Sequence, residues 1–253
     1  MDLDSESDQA AKSGGAASAF PQTRWSLLLA VGAGGEKDRE TALAELCRQY
    51  WYPLYAYARR RGLSAEDAQD ATQSFFEHLL SAQVFQRVGG KELGRLRSYL
   101  LTAMQRWLMK EHRKRSAQKR GGGVVDIRLN EGEGEQRYLR EMSHEETPEA
   151  LYERRWALDI IEQALAVLEA DYERSGKGGL HAALSPWLTR SADQGELTQL
   201  AETMGLTAGH VRVHLHRLKK HFRAVLWDLV AATVATEEEV AEEMRHLQSV
   251  LTR

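Results

Sequence analysis

One cysteine, Cys47, is all that the chain carries in 253 residues. That excludes an intrachain disulfide and any zinc site built from several thiolates. Cys47 lies among Leu43, Leu46 and Tyr50, the setting of a small buried hydrophobe rather than a nucleophile. Only four prolines interrupt the chain, so long helices are permitted. Alternating strand-type patterns are nearly absent, and the expected fold class is all-α. No apolar run approaches the roughly 20 residues of a membrane span, and the N-terminus MDLDSESDQA is acidic, unlike a signal peptide. A soluble, cytoplasmic chain without membrane contact is therefore expected. A phosphate-cradling glycine loop, an HExxH pair and a nucleophile elbow are also missing. No catalytic residue, cofactor or metal is expected, and the chain does not read as an enzyme.

Charge is present but segregated. The net charge is −3, yet residues 106–120 hold seven Lys/Arg against one Glu, and residues 210–223 hold five against none. Acid collects at Asp2, Asp4, Glu6 and Asp8, and again from Glu237 to Glu243. A phosphate feels charge within about one Debye length, roughly 10 Å, so the two basic segments outweigh the total.

Residues 1–19 are small and polar, the composition of a disordered N-terminus. RWSLLLAV (24–31) reads as an apolar helix, residues 38–61 as a second with Pro53 inside it, and Ser64 with Asp67 as the cap of a third. A glycine-bearing loop at 88–94 precedes a long helix from about Leu96 to Lys119. GGGVVDIRLNEGEGEQ then changes the composition abruptly, and residues 121–149 carry eight acids against three arginines. Such a stretch buries little apolar surface and reads as a flexible acidic linker. A periodic helix follows from about Glu149 to Arg174. The boundaries expected are a helical domain at 20–119, a linker at 120–149, a second helical domain at 150–223, and a helical extension at 224–253.

The stretch LTQLAETMGLTAGHVRVHLHRLKKHFR (197–223) carries the clearest signal. Leu197, Leu200, Ala201 and Met204 share one helical face, Gly205 ends that helix in the left-handed region, and Thr207 caps the next. Val211, Leu215 and Leu218 are the buried face of the second helix, with Arg212, Arg217, Lys219, Lys220 and Arg223 around them. This is the helix-turn-helix pattern, in which a basic helix enters the major groove of DNA. His210 and His214 at i, i+4 have a zinc-compatible spacing, but no cysteine or carboxylate on that helix completes a set, and imidazoles facing DNA are favoured. The long helix at 96–119 mixes cations with rings, including Arg97, Tyr99, Arg106, Trp107, Lys110 and His112. Cations neutralise phosphates and aromatic faces accept unstacked bases, although a basic C-terminal end also suits the helix dipole.

ALAELCRQYWYPLYAYARRRGLSAEDAQDATQSFFEHL followed by GRLRSYLLTAMQRWLMKEHRKR resembles region 2 of the extracytoplasmic-function (ECF) sigma factors, small members of the sigma-70 family. TAGHVRVHLHRLKKHFR resembles their region 4. FPQTRWSLLLA and ERRWALDIIEQAL resemble a long variant with a C-terminal extension. The resemblance implies two helical domains that bind core RNA polymerase, through its β′ clamp and β flap, and promoter DNA. It implies −35 contacts from Thr207, His210, Arg212, His214, His216, Arg217, Lys219 and Lys220. For the −10 element it implies Arg97, Arg106, Lys110, Arg113 and Lys114, with the loop at 88–95 trapping a flipped base. The clamp contact would fall on Asp67, Asp70, Gln73, Phe75 and Phe76. Gln69 and Ser74 stand where family members often carry acids, so phosphorylation of Thr72 or Ser74 by a Ser/Thr kinase is one mode of control; an anti-sigma factor is another. The alternative is a helix-turn-helix regulator acting on duplex DNA without polymerase. The extension is expected to pack over the second domain, or else to mask Arg217 and Lys220 with its glutamates.

Overall fold

The computed structural model describes residues 36–80, 94–117, 133–141, 146–188, 190 and 193–252. The expected helix at 24–31 and most of the loop at 88–95 lie outside them. Nine α-helices and no strand occur among the described residues. They are α1 (Glu36–Arg60), α2 (Ala65–Leu80), α3 (Leu96–Ala117), α4 (Glu133–Glu141), α5 (Pro148–Arg174), α6 (Gly178–Leu184), α7 (Gln194–Met204), α8 (Ala208–Ala231) and α9 (Glu237–Leu251). A 3-10 turn, Ser185–Trp187, follows α6.

Local chemistry sets most helix starts. Ser64 Oγ accepts the Asp67 N–H at 3.0 Å and donates to its carboxylate at 2.9 Å, opening α2. Thr147 caps α5 by accepting from Ala150 N, with Pro148 at the first position, where its missing N–H has no consequence. Asp193 and Glu196 form a reciprocal capping box on α7. Pro53 lies inside α1 without ending it.

Two cores result. The larger joins α1 (Leu46, Tyr50, Leu54, Tyr57), α2 (Phe75, Leu79), α3 (Leu100, Met104) and the first half of α5 (Trp156, Ile160). The second half of α8 and α9 enter the same core through Leu226, Val230, Val240 and Leu247. The smaller core contains Leu168, Leu184, Leu197, Ala201, Val211, Leu215 and Leu218, and Phe222 packs against both. Helices α5 and α8 thus each run from one core into the other.

Two sequence expectations are corrected here. The extension packs on α5 and α8, and buries Val234, Val240, Leu247 and Val250 in the core that α5 shares with α1. Its glutamates do not meet Arg217 or Lys220: Glu242 and Glu243 pair with Arg95, and Glu243 also with Arg97. The backbone reinforces this, because Leu96 N–H, at the start of α3, donates to Thr233 O in the α8–α9 turn at 3.1 Å. Within the acidic segment at 121–149, residues 133–141 form α4, which packs on α1 through the buried Tyr138. Its few apolar residues hid it from a composition argument.

Candidate nucleic-acid and polymerase surfaces

Helices α7 and α8 form a helix-turn-helix. Gly205 ends α7 at φ 64°, where a side chain would be strained, and Leu206 N–H returns to Ala201 O at 2.9 Å. Thr207 Oγ1 accepts the His210 N–H at 3.3 Å, so this hydroxyl serves as the cap of α8. Val211, Leu215 and Leu218 fix the buried face. The opposite side exposes His210, Arg212, His216, Arg217, Lys220 and Arg223, with His214 half-buried. Arg212 and Lys220 are eight residues apart, about 12 Å along a helix, which matches the width of a major groove. Lys219 is turned back, its Nζ donating to Arg190 O at 2.9 Å, and Arg212 donates to Gln194 Oε1. Arg217 and Lys220 therefore head the outward-facing cations.

A different chemistry lies between α2 and α3. A cavity of about 260 Å³ is lined by Phe75, His78, Tyr99, Arg106, Trp107 and Lys110 among others. The His78 ring stacks on Trp107 with centroids 4.7 Å apart, and the Lys110 ammonium lies 5.8 Å from the Trp107 ring centre. The Trp107 indole N–H is buried without a hydrogen-bond partner. Arg106, Lys110 and Arg113 are exposed, and burial pushes the Tyr99 phenol up. Aromatic faces beside cations suit unpaired bases and their phosphates. His78 escaped sequence reasoning because nothing local marks a histidine that stacks on a ring 29 positions away. The Lys114 side chain lies outside the described residues.

Arg97 does not belong to this surface. It is 3 % exposed, its Nε donates to Glu243 at 2.5 Å, its Nη1 pairs with Glu153 at 2.5 Å, and its guanidinium lies 5.1 Å from the Trp156 ring centre. Burial opposes its charge, but Glu243 and Glu153 hold it firmly protonated. The expectation of a −10 contact from Arg97 is corrected: its partners are acids of α5 and α9.

The proposed clamp face is corrected in part as well. Asp67, Asp70 and Gln73 are half-exposed along α2, but Phe75 and Phe76 are 1 % and 3 % exposed and belong to the core. Their edge-to-face contact, with centroids 5.8 Å apart, packs α2 in the core, where Phe75 also borders the α2–α3 cavity. Thr72 is buried with its hydroxyl on Ala68 O, whereas Ser74, bonded to Asp70 O, is half-exposed.

Among the described residues the chain is all-α, with a row of outward cations on α8 and a cavity of rings and cations between α2 and α3. A family model described as ECF sigma factor matches residues 28–170, more than half of the chain. The chain belongs to the ECF sigma factor family, whose members bind RNA polymerase core and promoter DNA in transcription initiation. The match ends before α7 and α8, so the helix-turn-helix stands on its own geometry. No curated protein and no solved structure matches the chain. No helix among the described residues is long and apolar enough to cross a membrane.

Proposed function

We propose that this sigma factor reads promoters with two chemically distinct surfaces. Helix α8 anchors the −35 element through Arg212, His216, Arg217 and Lys220, with His210 and His214 beside them. The α2–α3 cavity captures an unpaired −10 base on Trp107 and His78, and Arg106, Lys110 and Arg113 hold the adjoining phosphates. Asp67, Asp70 and Gln73 contact the polymerase clamp. The helices around the smaller core would engage the β flap.

One observation carries the reading. The chain has an outward cation row on a capped helix and, separately, the stacked His78–Trp107 pair at 4.7 Å beneath Lys110. Duplex anchoring needs the first, and holding a base out of its stack needs the second. A regulator that bound only duplex DNA would leave the second idle.

The test uses holoenzyme assembled on core polymerase and a promoter fragment selected from genomic DNA. Trp107→Ala should lose affinity for a fork template with an unpaired −10 strand while keeping affinity for core. Arg217→Ala should lose affinity for the −35 duplex. If Trp107→Ala binds the fork as wild type does, the capture role is wrong.

A further inference from the structure

We propose that α4 is a detachable acidic cover over a second strand-binding face, the aromatic and basic surface of α1. The face consists of Trp51 and Tyr55, stacked with centroids 5.1 Å apart and planes 7° from parallel, with Tyr52 next in the row at 6.5 Å. Arg59 flanks the row from α1, and Arg155 flanks it from α5.

Two carboxylates of α4 hold this face. Glu135 receives the Arg59 guanidinium as a fork, from Nε at 2.8 Å and Nη2 at 2.7 Å, together with the Tyr55 hydroxyl at 2.6 Å. Arg59 pulls the Glu135 carboxyl below its ordinary range. Glu141 receives the Tyr52 hydroxyl at 2.6 Å and Arg155 Nη1 at 2.6 Å. A guanidinium fork of this kind grips carboxylate or phosphate equally well. The backbone of α4 lies directly on the ring row: a Cβ on Gly134 would sit 3.0 Å from Trp51.

The cover is weakly attached. Only Tyr138 and Leu139 of its nine residues are apolar, and Leu139 is 58 % exposed. A helix this short does not persist alone in water. Its other anchors are polar, the pairs Glu135–Arg59, Glu141–Arg155 and Arg137–Asp159 with Arg137 over the Tyr52 ring. Tyr138 is its single buried apolar side chain, so α4 buries less apolar surface than the helices around it and is the segment that opens first. When α4 lifts, Arg59, Arg155 and two phenol hydroxyls lose their carboxylates together, while Asp159 of α5 loses Arg137. What replaces it must bring spaced anionic oxygens and flat faces that stack on Trp51 and Tyr55. A single nucleic-acid strand brings both, whereas an acidic peptide brings only the oxygens. This face is separate from the α2–α3 cavity and does not depend on promoter reading there.

The experiment measures anisotropy of a labelled oligothymidylate of about 12 nucleotides with the full chain in a Trp107→Ala background, which removes the α2–α3 stack. Hydrogen exchange at 133–141 reports α4 in the same samples. Two variants lift α4 in different ways: Glu135→Gln with Glu141→Gln removes the carboxylates, and Gly134→Val pushes the helix off Trp51 without changing charge. Both should speed exchange at 133–141 and tighten strand binding by about fivefold to tenfold. Adding Trp51→Ala or Arg59→Ala should abolish the gain. The proposal is overturned if exchange does not change or if it quickens without tighter binding. It is equally overturned if the gain survives Trp51→Ala and Arg59→Ala, or if a polyglutamate peptide binds as well as the oligonucleotide.

Discussion

Glu243 of α9 and Arg97 of α3, 146 positions apart in the chain, form an ion pair at 2.5 Å in which both side chains are almost fully buried. The pair explains why a C-terminal extension is part of the core that also holds α1. Breaking a buried pair leaves an uncompensated charge, so Arg97→Ala and Glu243→Ala should each destabilise the chain by about 3–5 kcal/mol. The double variant should lose less than the sum of the two, by about 1–3 kcal/mol, because the second removal takes away the buried charge that the first left uncompensated. Urea titrations of the four proteins measure this coupling, and additive losses would contradict it.

Asp159 offers a pH test. Its carboxyl is pushed up to about 6, first by burial, against the opposing pull of Arg137 at 2.9 Å. A carboxyl raised in the folded state favours folding below its unfolded value, near 4, and that contribution is lost as pH rises through about 6. Asp159→Asn stays neutral throughout. Its stability relative to wild type should therefore be greater at pH 8 than at pH 4, by about 2 kcal/mol. Urea unfolding at the two pH values checks the sign, and an equal difference at both would refute it.

The outward cations of α8 should behave as phosphate contacts. Arg217→Ala and Lys220→Ala should each reduce the salt-dependence slope of holoenzyme binding to −35 duplex by about 1. Lys219→Ala should change the slope less, since Lys219 is already bonded to the Arg190 carbonyl. Affinity measured between low and moderate salt decides this.

Gly205 is needed for its backbone. At φ 64° a Cβ is strained although nothing stands within 4 Å of it, so Gly205→Ala should lower stability by about 1 kcal/mol. Thermal unfolding gives the value, and a neutral substitution would mean that the α7–α8 turn relaxes.

What was legible in the chain was local. Gly205, Thr207 and Ser64 act through neighbours three or four positions away, so their roles could be read from spacing alone. Arg97 could not be read this way, because its charge is answered from α5 and α9, far along the chain. Phe75 and Phe76 follow acids on one helix, yet periodicity does not say which side of α2 another helix covers. Helix α4 was hidden for a third reason: its glutamates and Gly134 are those of a linker, and contacts with Tyr52, Tyr55, Arg59, Arg155 and Asp159, far along the chain, order it. The cation row on α8 was visible, while the His78–Trp107 stack required the α2–α3 packing.

Run-off transcription with purified core polymerase is the most direct test of the central claim, that two separate surfaces read one promoter. Wild-type chain should direct initiation from discrete sites on genomic fragments. Arg217→Ala and Trp107→Ala should each abolish specific transcripts while still binding core. Undiminished transcripts from both variants would contradict the account.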